Sequence, residues 1–541
     1  MKSALSLLLL VALFSCTAKE KVDLVYHHGV VYTVDGNFST AQAFAVKDGK
    51  FVAVGTNEEV LYQYDAEQII DGKGLPVYPG FNDAHSHFYR YGLGLQDVDL
   101  TGTSSFDEIV ALVVAHRKKY PEADWIFGRG WDQNDWEIKE FPTKDTLDRL
   151  FPDAPVLLTR VDGHAALVNQ KALDLAGIDA TTNIPGGKIV LAAGQPTGLL
   201  VDNAIDQVSG LIEAPDSGDQ AAALLAAQQN CFEVGITSLA DAGLDKSTID
   251  IIDSLQKEGS LKMRIYAMLN PTETNREHYF TSGPYKSDFL NVRSFKIYGD
   301  GALGSRGACL LEPYHDDADN YGFLLASVET YRSLAKEIAA HDFQMNTHCI
   351  GDSANRIILQ IYSEVLQPDN AKRWRIEHAQ VVSNEDIRKF AAYKVIPSVQ
   401  PTHATSDMYW AGDRLNQERL KAAYAYKDLL QTNGMLALGS DFPVESINPL
   451  YGFHAAVARQ DDQNFPNGGF QPENKISRED ALKGMTIWAA YAAFEENEKG
   501  SIEPGKMADF VVLEKDIMKE KEASLRTIKV AETFIDGKKV F

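Results

Sequence analysis

The chain has 541 residues, of which 45% are hydrophobic. It is therefore long enough for a large barrel with an accessory module, and apolar enough to bury a substantial core. Its formal net charge of −24, with no block of Lys or Arg, argues against nucleic acid as a partner. The negative charge does not identify a substrate, because an acidic surface mainly provides solubility.

The first residues are predicted to be a targeting segment. The apolar run from Ala4 to Leu13 is long enough for a signal peptide and too short to cross a bilayer. It ends at Leu13-Phe14-Ser15-Cys16, which resembles a bacterial lipobox. The resemblance implies a signal peptide over residues 1–15, a lipid on Cys16, and an exported protein anchored to a membrane, facing the periplasm or the cell exterior. An ordinary cleaved signal peptide is the alternative.

Both ends of the chain carry short β patterns. Residues 22–34 are apolar and β-rich, and two further runs flank the tight-turn sequence Lys47-Asp48-Gly49-Lys50. At the C-terminus, residues 508–513 precede two runs that flank Asp536-Gly537. Neither end has enough strands to bury a core alone. We therefore predict one small β-sandwich formed by residues 22–78 and 497–541.

Between the ends, short apolar runs alternate with helical patterns, which is typical of βα units. Eight such units predict an α/β fold, a (β/α)8 TIM-like barrel over residues 79–496; counting alone also allows a large open doubly wound sheet. About 150 residues separate the first two runs, whereas a βα unit takes about 30. We therefore predict a large insertion after barrel strand 1, at about residues 95–230, above the barrel mouth. The runs span residues 77–84, 236–242, 263–269, 294–298, 344–348, 375–378, 395–399 and 435–440.

Candidate metal ligands stand at the ends of these runs. His85 and His87 follow the first run, and residues i and i+2 of a strand point to the same face about 7 Å apart, close enough for two imidazoles to converge on a metal. His348, His378 and Asp441 end the fifth, sixth and eighth runs. Singly, each is better explained as a core histidine or a helix-capping aspartate. Their shared position favours a site at the barrel mouth, where barrel enzymes carry their catalytic residues.

Several motifs in order resemble one family, the amidohydrolase superfamily, and within it the YtcJ-like (amidohydrolase 3) branch. The likeness extends from about residue 22 to residue 541 and implies the same barrel with a terminal β-sandwich. It also implies that His85 and His87 hold the more buried of two metals, that His348 and His378 hold the more exposed one, and that Asp441 both ligates and moves protons. The motifs are residues 79–87, 162–169, 295–301 with 304–306, 348–352, 377–380, 439–444 and 500–509.

Lys296 lies on the fourth run, where many relatives carry a lysine that reacts with carbon dioxide. The resulting carbamate is an anion that can bridge two cations. The alternative is a lysine paired with an acid such as Asp300, because an unpaired buried charge is unfavourable. An unmodified Lys296 would leave one metal or a looser pair.

The expected cofactor is a divalent metal, one or two ions per chain. Zinc suits imidazole and carboxylate ligands with open positions best, and manganese, iron and cobalt also fit. The metal would lower the pKa of a bound water to about 7, and the hydroxide would attack a carbonyl polarised by the metal. Asp441 would act as the catalytic base and pass the proton to the leaving nitrogen.

Three further residues are weaker candidates. His164 is expected to face the site, as a catalytic oxyanion or substrate contact, or else to be hydrogen-bonded within the insertion. Arg306 is a candidate for binding an anionic part of the substrate, with pairing to Asp300 as the alternative. Trp131 belongs to an aromatic cluster that either lines an apolar substrate pocket or forms the core of the insertion.

The predicted function is hydrolysis of a carbon–nitrogen bond other than a peptide bond, in an amide such as an N-acyl or N-formyl amine. Deamination of a heterocycle or lactone hydrolysis would use the same metal site. A lipoprotein that only binds a ligand is the non-enzymatic alternative, but such a protein usually loses a ligand residue and this chain retains all of them. The expected partners are a small amide-like substrate and, through the lipid anchor alone, a membrane; a homodimer is left open.

Overall fold

The computed structural model describes residues 19–366, 368 and 371–541. The predicted signal peptide and the lipidation site Cys16 lie outside the described residues. Within the described ranges, no helix combines the length and the apolar composition that crossing a membrane requires.

Strands and helices alternate along the described part of the chain. The strands are β1 (Glu20–His27), β2 (Val30–Tyr32), β3 (Thr40–Ala41), β4 (Ala43–Lys47), β5 (Lys50–Gly55), β6 (Tyr64–Asp71), β7 (Pro76–Pro79), β8 (Phe81–Ser86), β9 (Val98–Asp99), β10 (Ile126–Trp131), β11 (Val156–Arg160), β12 (Ala165–Val168), β13 (Gly187–Ala192), β14 (Gln195–Asp202), β15 (Ile236–Leu244), β16 (Arg264–Leu269), β17 (Tyr285–Lys286), β18 (Leu290–Tyr298), β19 (Gln344–Cys349), β20 (Arg375–His378), β21 (Ile396–Val399), β22 (Ala437–Leu438), β23 (Phe510–Leu513), β24 (Val530–Ile535) and β25 (Lys538–Lys539). The α-helices are α1 (Asn57–Gln63), α2 (Phe88–Gly94), α3 (Phe106–Lys119), α4 (Asp145–Leu150), α5 (Gln170–Ala176), α6 (Asn203–Ser209), α7 (Ser217–Glu233), α8 (Lys246–Lys257), α9 (Glu273–Ser282), α10 (Val328–Ala340), α11 (Asp352–Val365), α12 (Ile387–Ala392), α13 (Pro401–Ser406), α14 (Ala411–Arg419), α15 (Tyr426–Asn433), α16 (Pro449–Ala458), α17 (Arg478–Gly484) and α18 (Ile487–Ala492). Short 3-10 helices cover Gln133–Asp135, Asp407–Tyr409, Leu420–Ala422, Pro472–Asn474 and Glu522–Thr527.

The largest sheet is a nearly closed parallel barrel of eight strands, in the order β22-β21-β20-β19-β18-β16-β15-β8. All of its ladders between neighbouring barrel strands are parallel. The chain segments after β22 and β8 complete the seam, because Asp441 N donates to His85 O at 2.8 Å and His87 N donates to Phe442 O at 2.9 Å. The prediction of a TIM-like α/β fold is confirmed, and the open doubly wound sheet is excluded.

The first predicted run needs a correction, because residues 77–84 belong to two strands. β7 lies in a sheet formed by the chain ends, and β8 is the first barrel strand. The chain passes between them at Gly80, where a Cβ atom would lie 2.2 Å from Thr237 Oγ1 on β15. A residue with a side chain cannot make this close crossing, so a continuous apolar pattern conceals a change of sheet.

Helices α9 and α10, which lie between barrel strands, each begin after a residue whose side chain forms an N-cap. At α10, the Ser327 side chain accepts a hydrogen bond from Thr330 N at 3.1 Å. The helix buries Tyr331, Ala335 and Ile338, which share one face at i, i+4 and i+7. This face covers the barrel and keeps strands such as β19 buried on both sides.

Strands from both chain ends hydrogen-bond with each other in one sheet, ordered β25-β24-β23-β7-β2-β3. A second sheet has the order β5-β4-β1-β6. Aromatic residues of both sheets pack together, with the ring centroids of Phe44 and Phe510 4.9 Å apart. The domain boundaries at residues 22–78, 497–541 and 79–496 stay predictions.

A separate six-stranded sheet, ordered β13-β14-β12-β11-β10-β9, is formed between β8 and β15 in the chain. It has its own apolar clusters, one around Trp131 and one around Leu173. Asn169 joins its elements, because the side-chain oxygen accepts from Val156 N at 3.0 Å and from Ala172 N at 3.1 Å. This sheet supplies one wall of the cavity at the barrel mouth.

Candidate metal centre

A cavity of about 630 Å³ opens at the carboxyl ends of the barrel strands. Its floor is formed by barrel residues from different strands, and the insertion forms part of its wall. This is the position at which parallel barrels carry their active sites. The polar floor residues are His87, Lys296, His348, His378, His403 and Asp441. The insertion contributes Asp97, Val98, Asp99, Thr101, Gly102, Arg129, Gly130, Asp132, Asp135, Arg160, Val161, Asp162 and His164.

His85 and His87 each have one ring nitrogen engaged behind the floor. His85 Nδ1 lies 2.5 Å from Glu377 Oε2, and His87 Nδ1 lies 3.0 Å from Ala242 O. Since both partners are acceptors, each Nδ1 carries the proton and each Nε2 keeps its lone pair. The two Nε2 atoms face Asp441 Oδ1 at 3.5 and 3.2 Å. Acceptors of this kind fix the tautomer and orientation of metal-binding histidines.

His348 and His378 lie side by side on neighbouring strands, with ring centroids 4.4 Å apart. His378 Nδ1 lies 2.8 Å from Gln400 Oε1, which leaves its Nε2 as the lone-pair nitrogen. His348 has the opposite arrangement, because its Nε2 is 3.4 Å from Gly301 O. Burial lowers the pKa of both rings well below its ordinary value, so both are neutral and able to bind a metal.

Asp441 joins the two halves of the site. Besides its contacts with His85 and His87, its Oδ2 lies 3.4 Å from His403 Nε2. Burial alone would raise the pKa of Asp441, but the contact with His403 and the adjacent His87 ring outweigh burial and hold it well below the usual range. Its φ of 63° lies in the left-handed region, which is rare for a residue other than glycine and common at functional sites.

The adjacent residues hold that backbone in place. Asp83 accepts hydrogen bonds from Ser440 Oγ at 2.6 Å and from His85 N at 3.0 Å. Gly439 crosses the seam so closely that a Cβ would lie 2.5 Å from His85 N. The first and eighth strands are therefore locked together at the point where each presents its ligand.

Lys296 is buried, with 1% of its surface exposed, and its Nζ lies 3.1 Å from His85 Nε2. The alternative pairing with Asp300 is wrong. That carboxylate instead accepts from the backbone N–H groups of Ile350 and Gly351, at 3.0 and 2.8 Å. No carboxylate of the described residues forms an ion pair with Lys296. Burial lowers the pKa of Lys296 to about 8, which makes a neutral amine accessible near neutral pH.

Sequence reasoning missed His403, which lies in the first turn of α13 after the seventh barrel strand. Its Nε2 contacts Asp441, and its Nδ1 lies 3.1 Å from Glu445 Oε1. The signal was available, because His403 follows a barrel strand as the predicted ligands do. It lies four residues beyond the strand end, whereas the predicted ligands lie closer to the ends of their strands.

Sequence reasoning also gave no role to Glu377, which precedes His378. Glu377 and Arg375 are fully buried, and Arg375 Nε lies 2.7 Å from Glu377 Oε1. Burial alone would raise the pKa of Glu377, but Arg375 and His85 outweigh burial and lower it strongly. Glu377 is therefore an anion that holds His85.

His164 lies on the cavity wall, with its ring centroid 4.9 Å from that of His348. Its Nδ1 lies 2.6 Å from Asp202 Oδ1. Burial would lower the pKa of His164, but Asp202 outweighs burial and raises it. The residue thus faces the site and is also hydrogen-bonded within the insertion, so the two interpretations of the sequence are compatible.

Arg306 and Trp131 do not line the cavity. Arg306 is paired with Asp316, at 3.2 Å from Nε to Oδ1 and 2.9 Å from Nη2 to Oδ2, and not with Asp300. Trp131 is 1% exposed and packs in the core of the insertion, where its Nε1 donates to Leu158 O at 2.8 Å. The prediction that these two side chains contact a substrate is therefore corrected, since neither reaches the space where one would bind.

The donor atoms suit a divalent metal ion. At the barrel mouth, two sets of described side chains have ligand atoms within 4.8 Å of one another, namely His85, His87 and Asp441, and His378, His403 and Asp441. Asp441 Oδ1 is buried and lacks a hydrogen-bond donor among the described residues. A buried anionic oxygen that faces imidazole lone pairs is favourable when a cation lies between them. His348 falls outside both sets, although its ring is next to His378.

Comparison with known proteins agrees with this geometry. The chain is 32% identical to the putative amidohydrolase YtcJ of Bacillus subtilis over 96% of this chain and 99% of that protein. It is 28% identical to the N-substituted formamide deformylase of Arthrobacter pascens over 95% of this chain and 97% of that protein. A crystal structure of an uncharacterized metal-dependent hydrolase from Pyrococcus horikoshii OT3 superposes with a TM-score of 0.75, at 26% identity, over 92% of this chain and 99% of that chain. The model of the Amidohydrolase family matches residues 68–541, and the chain therefore belongs to the amidohydrolase family, in its YtcJ-like branch.

Proposed function

We propose that the protein is a metal-dependent hydrolase that cleaves a carbon–nitrogen bond of the amide type, such as that of an N-acyl or N-formyl amine. One observation carries the proposal. His85, His87 and His378 each have the nitrogen remote from the cavity bonded to an acceptor, so that the other nitrogen faces Asp441 or its neighbours. This is an arrangement for binding cations rather than for packing a core.

His85, His87 and Asp441 would hold one divalent ion, and His378 with His348 would hold a second. Zinc fits these ligands best. When bound, the metal supplies a water of lowered pKa and polarises the scissile carbonyl. Asp441 is held as a carboxylate by its surroundings, so one of its oxygens is able to accept the proton of the attacking water and pass it to the leaving nitrogen. His164 stands next to His348 and is available to stabilise the developing oxyanion.

We also propose that Lys296 reacts with carbon dioxide. The neutral amine nitrogen would attack the carbon of CO2 and lose one proton to solvent water, which leaves an anionic carbamate on Nζ. The support is the burial of Nζ, its distance of 3.1 Å from His85 Nε2, and the lack of an ion-pair partner among the described carboxylates. Carbon-13 NMR of protein incubated with labelled bicarbonate and metal should give a carbamate resonance, which Lys296→Met should abolish together with part of the bound metal.

The choice of bond is supported by the relative whose name describes the deformylation of an N-substituted formamide. The test is an assay of metal-loaded protein against a panel of N-formyl and N-acyl amines, with lactones and aminated heterocycles alongside. We expect amide hydrolysis that Asp441→Asn reduces by about 10²- to 10⁴-fold, the usual contribution of a general base. Asp65→Asn, which removes one exposed carboxylate of the terminal sheet, serves as the matched control.

Two outcomes would contradict this function. If lactones or heterocycles are turned over and amides are not, the proposed bond type is wrong and the metal-dependent mechanism is retained. Complete inactivity, or an activity that Asp441→Asn does not change, would remove the enzymatic proposal and favour a ligand-binding protein.

We further propose that the protein is exported and anchored through a lipid on Cys16. The support is the apolar run that ends in Leu13-Phe14-Ser15-Cys16. Mass spectrometry of the protein purified from a bacterial membrane should find a lipidated N-terminal cysteine. Release of the protein into the soluble fraction by Cys16→Ser would agree, whereas a mature N-terminus elsewhere would contradict the proposal.

A further inference from the structure

The cationic side chains that line the cavity are unequally partnered. Arg160 is fully buried and forms ion pairs with Asp132 and Asp162, so its charge is balanced within the insertion. Lys296 faces the metal ligands. The remaining one within the described residues, Arg129, has no carboxylate partner.

Arg129 lies on β10 and projects toward the cavity, where its guanidinium is only partly hydrogen-bonded. Nη2 donates to Val161 O at 3.2 Å. Nε is buried and has no acceptor, and none of the described residues accepts a hydrogen bond from Nη1. A guanidinium carries five N–H donors in a planar fork, so most of the donors of Arg129 remain available to a ligand.

The surroundings of Arg129 connect it with the reaction site. Val161, its hydrogen-bond partner, begins the turn that leads through Gly163 to His164, and the His164 ring is next to His348. Gly163 has a φ of 73°, and a Cβ there would lie 3.7 Å from both Nη atoms. The turn therefore runs alongside the guanidinium and presents His164 to the floor.

A partly buried guanidinium without an ion-pair partner is unfavourable unless an anion completes it. Burial, and then repulsion from Arg90, lower the pKa of Arg129, but an arginine still keeps its charge at neutral pH. This unpaired charge lies at the wall of the cavity where a substrate would bind. By contrast, Arg160, in the same sheet, is fully neutralised by two aspartates.

We propose that Arg129 is a specificity-determining residue that binds a carboxylate of the substrate, so that the substrate is an amide bearing a carboxylate group. This inference rests on the proposed function and names the substrate class for the same site. A carboxylate is favoured over a phosphate because its single charge matches one guanidinium, whereas Asp97, Asp99 and Asp135 on the same wall repel a dianion more strongly.

The test compares N-formylphenylalanine with N-formylphenylalaninamide as substrates of the metal-loaded full-length protein. We expect kcat/KM to favour the carboxylate at least about 10-fold, as expected for a desolvated charged hydrogen bond. Arg129→Gln should remove that preference by raising KM for the carboxylate substrate, while kcat/KM for the carboxamide substrate stays within about 3-fold of the wild-type value. Arg129→Lys should retain part of the preference. Arg332→Gln, which removes one cation from a partly exposed ion pair between α10 and α11, is the matched control.

A binding measurement separates this inference from the proposed function. Calorimetric titration of the metal-loaded protein with phenylacetate and phenylacetamide requires no turnover. A preference for phenylacetate that Arg129→Gln abolishes would support the anion site even if no amide were hydrolysed. The inference is overturned if wild-type protein shows no preference, or if Arg129→Gln weakens the charged and the neutral ligand equally, since Arg129 would then only support the wall.

Discussion

Replacing Glu377 with glutamine tests how the site holds its most buried histidine. The carboxylate lies behind the floor, accepts a hydrogen bond from His85 Nδ1 at 2.5 Å, and is ion-paired with Arg375 at 2.7 Å. All three residues are fully buried. Glutamine has the same shape but no charge, so it leaves Arg375 as an uncompensated buried cation.

Two magnitudes follow from this geometry. Loss of one partner of a buried ion pair costs about 3–5 kcal/mol, so Glu377→Gln should reduce the free energy of unfolding by roughly that amount. The glutamine amide can also turn its NH2 group toward His85 Nδ1, which would reverse the tautomer and place the proton on Nε2, the nitrogen facing the site. Loss of such an orienting partner typically lowers metal affinity by about 10- to 100-fold.

The assay is competition with a chelator for the metal, combined with urea unfolding of the metal-free protein. Glu364→Gln is the matched control, because it removes a carboxylate from an exposed ion pair with Arg332, where about 1 kcal/mol or less is expected and metal affinity should not change. If Glu377→Gln kept wild-type metal affinity, His85 would not need its orienting anion, and the assignment of its Nε2 as a metal ligand would be refuted.

Further substitutions test the rest of the account. His403→Gln removes the contact with Asp441 Oδ2 and should lower kcat by about 10- to 100-fold with little change in KM, as for a positioning residue, whereas an unchanged kcat would leave His403 without a role. Gly439→Ala places a Cβ 2.5 Å from His85 N and should cost about 1–3 kcal/mol in urea unfolding and weaken metal binding; wild-type stability would show that the seam is not tight. Burial lowers the pKa of His454 to about 4, so as pH falls from 7 to 4 the unfolded chain gains a proton that the folded protein lacks, and stability is lost. Each pKa unit is worth about 1.4 kcal/mol, so the free energy of unfolding of His454→Leu should gain about 3 kcal/mol on that of wild type between pH 7 and pH 4. A difference in unfolding free energy that does not change with pH would contradict this.

The barrel was predictable because its strands are buried on both faces and give short, nearly continuous apolar runs. β19 and β20 begin at the predicted residues and are buried along their whole length. The error at residues 77–84 has the same origin. Strands in two different sheets are equally apolar, and only the close approach of Gly80 to Thr237 separates them.

The site was predictable where a side chain follows a strand directly and not where tertiary packing decides its direction. The convergence of His85, His348, His378 and Asp441 follows from the common edge of a parallel barrel. In contrast, no local pattern indicates that Arg306 turns to Asp316 or that Trp131 fills the core of the insertion, because both depend on contacts made within folded loops. The unpaired Arg129 was missed for the same reason.

The central claim is that the side chains at the barrel mouth bind divalent metal. Elemental analysis of the purified protein identifies the metal, and anomalous diffraction at its absorption edge locates it. We expect a peak between His85, His87 and Asp441, with a second beside His378 when two equivalents are bound. Bound metal with no peak at the barrel mouth, or a peak only at the exposed group His27, His28 and Asp71, would contradict the claim.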